Sequence, residues 1–310
     1  SQYPLLFPQS TAHKLNRLAR TRSRIDRWMA LAGFRPKDFR PRASLRLGLT
    51  DPTCGLNMGQ TAENLAREFG ISRRQQDLYA LHSHRRATKA RNRFHEETFP
   101  FYVDAVGKKS TLVEKDNGPR EKQSEEALAK LNPIFERKFG TVTAGNASQI
   151  TDGAVALLAM TEKACKQFGF QPLGRLVDYA YTGCNPRRMG LGPVYSIHAA
   201  EQQTGLGLKD ADLIEINEAF AAQVIAVVEA CQSESFCQRE LKRNSPLGRI
   251  PSRKLNVNGG AIALGHPVGA TGARLVLTAL KELQRRKAHR ALVSLCVEGG
   301  QGAAVWLEAA

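Results

Sequence analysis

Long apolar runs are missing from this sequence of 310 residues. The longest, Ala219 to Cys231, is broken by Gln223 and Glu229 and falls short of the roughly 18 residues a membrane-spanning helix needs. A charged start followed by an apolar stretch is missing too, so no secretory signal is read. The chain opens at Ser1 rather than Met, and we expect it to be the middle of a longer reading frame. Cysteine is sparse: six residues (Cys54, Cys165, Cys184, Cys231, Cys237, Cys296) lie far apart, with no C-x-x-C pair and no His at zinc-ligand spacing. That argues against a metal site, and an even count in so long a chain is no disulfide framework; an intracellular, reducing compartment is expected. Acidic residues are in short supply, 29 against 45 Lys and Arg, for a net charge of +16. Nucleic acid, an anionic membrane and an anionic cofactor all remain open as partners. The rest is ordinary: 42% hydrophobic residues with 26 Gly and 14 Pro exclude a disordered or fibrous chain. About two globular domains, or one large one, fit the length.

The positive charge is concentrated. Between Lys14 and Arg46 there are eleven Lys or Arg against two acids, Asp26 and Asp38. Leu15, Leu18, Ile25, Trp28, Met29 and Leu31 are interleaved with them and predict short helices. Such interleaving suits docking at an anionic membrane or a partner subunit; the plainer reading is a solvated basic loop. No aromatic platform or recognition helix accompanies the charge, so nucleic acid is not expected.

Further on, Thr61 is a plausible N-cap for a helix closed near Gly70, and Ser72 caps a longer one to about Asn92. Residues 104–127 read as a turn-rich surface excursion. Asp152 starts an apolar helix closed by Gly169. From Leu173 strands and helices alternate: strands near Arg175–Tyr181, Leu213–Ile216 and Arg290–Cys296, helices near Ser196–Thr204, Glu218–Cys231 and Thr271–Arg286. That alternation predicts a layered α/β domain, and the E-G-G-Q-G turn after Cys296 predicts a closing hairpin.

Three segments of this half stand out: I-N-E-A-F-A-A-Q (Ile216 to Gln223), the glycine-rich N-V-N-G-G-A-I-A-L-G-H-P-V-G-A-T-G-A-R (Asn256 to Arg274), and S-L-C-V-E-G-G-Q-G (Ser294 to Gly302). Dense glycines let backbone N–H groups approach a ligand, a His can act as base, a Cys can pass a proton, and an Asn can hold a water or carbonyl oxygen. Together they suit acyl transfer. Singly, each has a bland reading: a turn, a core cysteine, a helix cap. The glycine stretch has neither a G-K-[ST] ending nor a strand–G-x-G-x-x-G–helix context, so it is not a nucleotide loop.

The joint pattern resembles the thiolase family: N-E-A-F, G-H-P in its glycine frame, and a C-terminal Cys before G-G-x-G. G-L-N-M-G-Q-T-A-E-N-L-A (Gly55 to Ala66), G-T-V-T-A-G-N-A-S-Q-I-T-D-G-A (Gly140 to Ala154) and L-G-P-V-Y-S-I (Leu191 to Ile197) are similar to thiolase motifs as well, so the resemblance covers essentially the whole chain. The opening P-L-L-F-P and the basic segment look most like fatty-acid-oxidation thiolases of the trifunctional-complex β-subunit type. The resemblance implies a layered α/β/α thiolase-like fold, with a loop domain over 1–140, the remainder of an N-terminal domain over 141–172 and a C-terminal domain over 173–310. It implies that His266 activates a nucleophilic cysteine and helps form an oxyanion hole, that Cys296 moves the proton on and off the substrate carbanion or thiol, and that Asn217 anchors a water in the first oxyanion hole. It also implies that Met58, Ala144, Ser148, Ala219 and Phe220 line the substrate and pantetheine path, and that the backbone at Glu298 serves a second oxyanion hole. No permanently bound cofactor is implied, only coenzyme A as co-substrate, with acyl-CoA as the other substrate.

Two departures matter. The family's acyl-accepting cysteine sits in a C-G-S-G-type turn, which is absent; P-T-C-G-L-N-M around Cys54 is not that motif, so most of the N-terminal core domain is expected to be missing. Glu298 stands where relatives usually carry Gly or Ala. The expectation is a 3-ketoacyl-CoA thiolase of fatty-acid β-oxidation, inactive as this fragment. Alternatives are an acetoacetyl-CoA thiolase and a non-catalytic CoA-binding protein. A homodimer or tetramer is expected at full length, with a β-oxidation partner subunit or anionic membrane at residues 14–46, in a cytoplasmic setting (mitochondrial in a eukaryote).

Overall fold

Helices α1 (Gln9–Arg20) and α2 (Arg24–Ala32) form from the arginine-interleaved stretch, and the Ser23 hydroxyl caps α2 by accepting from the Ile25 amide at 3.2 Å. The computed structural model describes residues 4–104 and 109–310, without the side chain of Arg46. The chain forms two units, Ser1–Asn57 and Met58–Ala310. In the first, Asp38 is buried and ties α1 to the turn at Pro36–Phe39: it accepts from Lys14 Nζ at 2.6 Å and from the Arg35 amide at 2.7 Å.

The second unit begins with α3 (Met58–Glu68), which starts earlier than Thr61. Thr61 is not its cap but a buried first-turn residue, its hydroxyl donating to Met58 O at 2.7 Å. Helix α4 (Arg73–Lys89) is opened by a reciprocal cap between Ser72 and Gln75. Within the excursion expected over 104–127, Phe101–Val103 pairs antiparallel with Thr111–Val113; residues 105–108 lie outside the described residues. The apolar helix expected from Asp152 is mostly not formed: only Glu162–Phe168 is helical, capped by Thr161 and closed by Gly169. Leu157, Leu158 and Met160 are exposed, so the described structure offers this stretch no apolar surface to bury its face against, and packing is what stabilises most protein helices.

The layered part follows its pattern closely. Its elements are β1 (Gly174–Gly183), α5 (Gly192–Thr204), β2 (Leu213–Ile216), α6 (Ala221–Gln232), α7 (Thr271–Arg286), β3 (Arg290–Val297) and β4 (Gln301–Ala309). The sheet order is β1-β4-β3-β2, with β2 and β3 parallel and the other neighbours antiparallel. Period-2 alternation sorts the core. Leu213, Ala291 and Val293 face α7 with Leu275, Ala279 and Leu283; Ile214, Ile216, Leu292 and Trp306 face the other way, with Val194, Ile197, Val224 and Val227 of α5 and α6. Each fully buried Leu or Ile contributes about 1.5–3 kcal/mol. Helix α6 starts at Ala221 rather than Glu218, because Phe220 is extended (φ −146°, ψ 144°) and bridges to Ala147.

Candidate functional site

The parallel pair ends where the chemistry begins. The Asn217 amide donates to Ser294 O at 3.0 Å, holding Asn217 at the carboxyl end of β2 beside β3, where sheets of this kind place ligands. The next residue, Glu218, is buried and fixed by three side-chain donors, two of them on α4: Tyr79 Oη at 3.0 Å, Ser83 Oγ at 2.6 Å and Asn256 Nδ2 at 3.0 Å. Gly260 packs on this carboxylate, and a Cβ there would lie 2.3 Å from Glu218 Cδ. Gly265, at φ +99°, then swings the glycine loop into His266.

His266 is held on three sides. Its amide donates to Gln149 O at 3.0 Å, Nδ1 lies 2.7 Å from Thr271 Oγ1, and Nε2 lies 3.3 Å from Asn217 Nδ2. With the Thr271 hydroxyl donating to Pro267 O at 3.2 Å, the network assigns the ring proton to Nδ1, which leaves Nε2 to accept from Asn217. Burial, with Arg274 adding to it, pushes the His266 imidazole down to about 4, so it is neutral at physiological pH. Asn217 Oδ1 is buried without a partner among the described residues, which is an acceptor awaiting a water or a substrate group.

Cys296 closes β3 opposite Gly302 and is 7% exposed. Burial pushes its thiol up to about 12, so it is held as the protonated acid. It shares an apolar cluster with Ala219 and Phe220, bordered by Met58 and by Phe135, whose ring stands edge-on to Phe220 at 5.8 Å. Ser148 joins this group through its amide, which donates to Ala219 O at 2.9 Å. The loop carrying Ser148 is laced down: Glu63 accepts from the Val142 amide at 2.9 Å, and Asn146 Nδ2 donates to Asp77 Oδ1 at 2.9 Å.

The structure therefore gathers Cys296, Ala219, Phe220, Met58 and Ser148, and pairs Asn217 with His266. Among the described residues no hydrogen bond joins Cys296 to that pair. Ala144 is exposed and outside the apolar cluster, and Glu298 is half-buried in the turn after Cys296, its carbonyl accepting from Gln301 Nε2 at 3.2 Å. Sequence reasoning missed Thr271 and Glu218, although Glu218 stands inside N-E-A-F and Thr271 lies five residues after His266. It also missed Cys184, whose amide donates to Gly300 O at 2.6 Å in the turn that follows Cys296. Nothing in its local sequence marks that proximity. Among the described residues no group of three or more His, Cys, Asp or Glu could hold a metal ion, and no helix is long and apolar enough to cross a membrane.

A neutral imidazole backed by a hydroxyl, an amide with a free acceptor and a protonated thiol at the end of an apolar path can orient a carbonyl compound and move protons. Comparison with known proteins agrees with that chemistry. The thiolase N-terminal domain model matches residues 34–163, and the thiolase C-terminal domain model matches 170–309. The chain is 39% identical to the 3-ketoacyl-CoA thiolase of Photobacterium profundum over 312 aligned positions, covering 100% of this chain and 70% of that protein. It is 48% identical to the acetyl-CoA acetyltransferase of Escherichia coli, covering 85% of this chain and 63% of that one. A crystal structure of human mitochondrial 3-ketoacyl-CoA thiolase in complex with CoA superposes with a TM-score of 0.77 at 41% identity, over 90% of this chain and 65% of that one. The chain thus spans about two thirds of the length of these relatives.

Proposed function

The chain belongs to the thiolase family, and we propose that its Asn217–His266–Cys296 cluster is the proton-handling part of a 3-ketoacyl-CoA thiolase site. The reaction cleaves 3-ketoacyl-CoA with CoA to acetyl-CoA and an acyl-CoA two carbons shorter. Cys296 gives its proton to the acetyl-CoA carbanion as the carbon–carbon bond breaks, and takes one back from the incoming CoA thiol. A water that donates one proton to Asn217 Oδ1 gives its other hydrogen bond to the thioester oxygen, and His266 donates to that oxygen once Nε2 has taken the proton of the attacking thiol. Met58, Ala144, Ser148, Ala219 and Phe220 line the acyl and pantetheine path, and the backbone amide at Glu298 serves a second oxyanion hole. The observation that carries this reading is the Asn217–His266 contact at 3.3 Å with a buried, partnerless Asn217 Oδ1 beside it.

The covalent step needs a thiolate that accepts the acyl group, and we assign that role to none of the six cysteines here. Cys231, on α6, and Cys237, on the helix that follows, are buried in the core, Cys165 bonds to Phe170 O, and Cys184 is pushed up to about 11 by burial. Cys54 is embedded in a turn whose amides bond Asp51. Coenzyme A is the co-substrate in this reading, and no resident cofactor is needed. The division into 1–140, 141–172 and 173–310 belongs to the same proposal, and only its last boundary has support, from family-model limits at 163 and 170. So does docking of residues 14–46 to an anionic membrane or a partner subunit.

The test is thiolysis of acetoacetyl-CoA and of a long-chain 3-ketoacyl-CoA by the purified chain, alongside calorimetric CoA binding. The expected result is CoA binding that Phe220→Ala weakens, with no turnover of either substrate. Absence of CoA binding would remove the reading. Acetylation of Cys296 by acetyl-CoA with release to CoA would reassign that residue as the nucleophile.

A further inference from the structure

Away from the Asn217–His266 pair, a cavity of about 280 Å³ opens among Arg86, Lys89, Arg93, Arg253 and Arg286. Its apolar lining is confined to Ala90 and Val257. Three of the arginines are pinned. Arg86 donates to Leu255 O at 2.7 Å and to Ser252 O at 2.9 Å, Arg93 to Asn258 Oδ1 at 2.8 Å, and Arg286 to Glu282 Oε1 at 2.5 Å. Each guanidinium carries five N–H donors, so these bonds fix its position and leave donors to spare. Asn258, fully buried, is itself fixed by Glu282 Oε2 at 2.9 Å. Lys89 and Arg253 are exposed and have no partner among the described residues. Five cations thus meet one carboxylate, Glu282.

Basic residues at helix C-termini often only answer the last carbonyls, and Lys89 and Arg286 stand at such ends. Arg93 and Arg253 belong to neither helix, and Arg86 turns to the carbonyls of a neighbouring loop rather than to its own. The excess charge therefore has another cause. The volume falls just below the range of drug-sized ligand pockets, about 300–1,000 Å³, and the walls offer no ring and only Ala90 and Val257 to a base or acyl chain. Forked guanidinium donors with a nearby ammonium match phosphate oxygens. Asn256 separates this cavity from the first site: its carbonyl faces Arg86, while its side chain bonds Ile216 O and Glu218 on the other side.

We propose that this cavity is a second binding site, taking a compact polyphosphate chain, and independent of the thiolase reading. The phosphates are recognised alone, whether free or carried by a nucleotide. The experiment titrates tripolyphosphate into the purified chain at low salt. One equivalent binds, Lys89→Gln/Arg253→Gln weakens it by about tenfold or more, and Arg17→Gln/Arg20→Gln, altered on the equally basic N-terminal helices, leaves it unchanged. The single variants Lys89→Gln and Arg253→Gln each weaken it by less, and circular dichroism is unaltered in all. ATP binds as tightly as tripolyphosphate, and saturating CoA does not displace either. No binding, equal weakening by the two double variants, a strong preference for ATP, or displacement by CoA would each overturn the proposal.

Discussion

Helix α7 turns Leu275, Ala279 and Leu283 into the core beside β2 and β3, whereas α2 buries only Ala30 and leaves Ile25, Trp28 and Met29 at 72%, 75% and 58% exposure. Both helices carry apolar residues at helical spacing among arginines. The difference lies in what each faces. The sheet gives α7 a complementary apolar surface, while within its own unit α2 has only α1 and a short turn. A pattern in sequence thus establishes that a helix has an apolar face, and the packing partner decides whether that face stabilises the fold.

The largest expected effect follows from this contrast. Leu283→Ala, at a fully buried position, lowers unfolding free energy by about 2–5 kcal/mol through lost burial and the cavity left behind, read from urea melts. Trp28→Ala, a larger truncation, changes it by about 0.5 kcal/mol or less. A comparable loss at Trp28 would show that α2 buries its face in solution and would erase the distinction.

A second effect belongs to the site on the sheet side. His266 is pushed down to about 4 from an ordinary value near 6.5. Between these values the unfolded chain binds more protons than the folded one, so stability falls as pH drops from about 6.5 to about 4, and no further below that. Allowing for its partial exposure, the loss is about 2 kcal/mol. His266→Gln removes that part of the acid sensitivity; His84, also held near 4 by burial, retains its own part in the same window. Urea melts across pH 7 to 4 measure both. An unchanged pH slope in His266→Gln would mean that the imidazole is not desolvated as the structure has it.

Legibility followed the same divide. Leu213–Ile216 and Thr271–Arg286 could be read to the residue, because alternation and helical spacing there are imposed by a sheet and a helix packed on each other. The Asp152–Gly169 stretch misled because its apolar composition implied a buried helix while the described structure gives it no partner surface. Thr61 misled in a smaller way: a hydroxyl that bonds a carbonyl within the first turn looks, in sequence, like one that caps. In the site, Asn217, His266 and Cys296 were visible as motif residues. The tautomer that Thr271 sets, the donors gathered on Glu218 and the approach of Cys184 depend on segments far apart in the chain, and no local pattern encodes them.

The smallest effect on stability tests the other half of the comparison. Arg17, Arg20, Arg24 and Arg27 are exposed on α1 and α2, alongside the exposed Leu15, Ile25, Trp28 and Met29. Removing four like charges from an already basic segment changes unfolding free energy by about 0.5 kcal/mol or less. Binding to an anionic surface should respond differently. Each basic residue near such a leaflet contributes about 1 kcal/mol, so the four-fold change to Gln removes about 4 kcal/mol of attraction, while the apolar side chains retain their insertion term. Co-sedimentation with vesicles containing anionic lipid should therefore be strong for the wild type and nearly lost in the variant. It should also fall as salt rises, since the screening length shrinks to about 8 Å at physiological ionic strength. Trp28→Ala separates the two contributions: it should weaken sedimentation without changing its salt dependence. Equal sedimentation of wild type and arginine variant, with partner-subunit binding intact, would make these two helices a solvated surface and leave the exposure of Trp28 without a docking role.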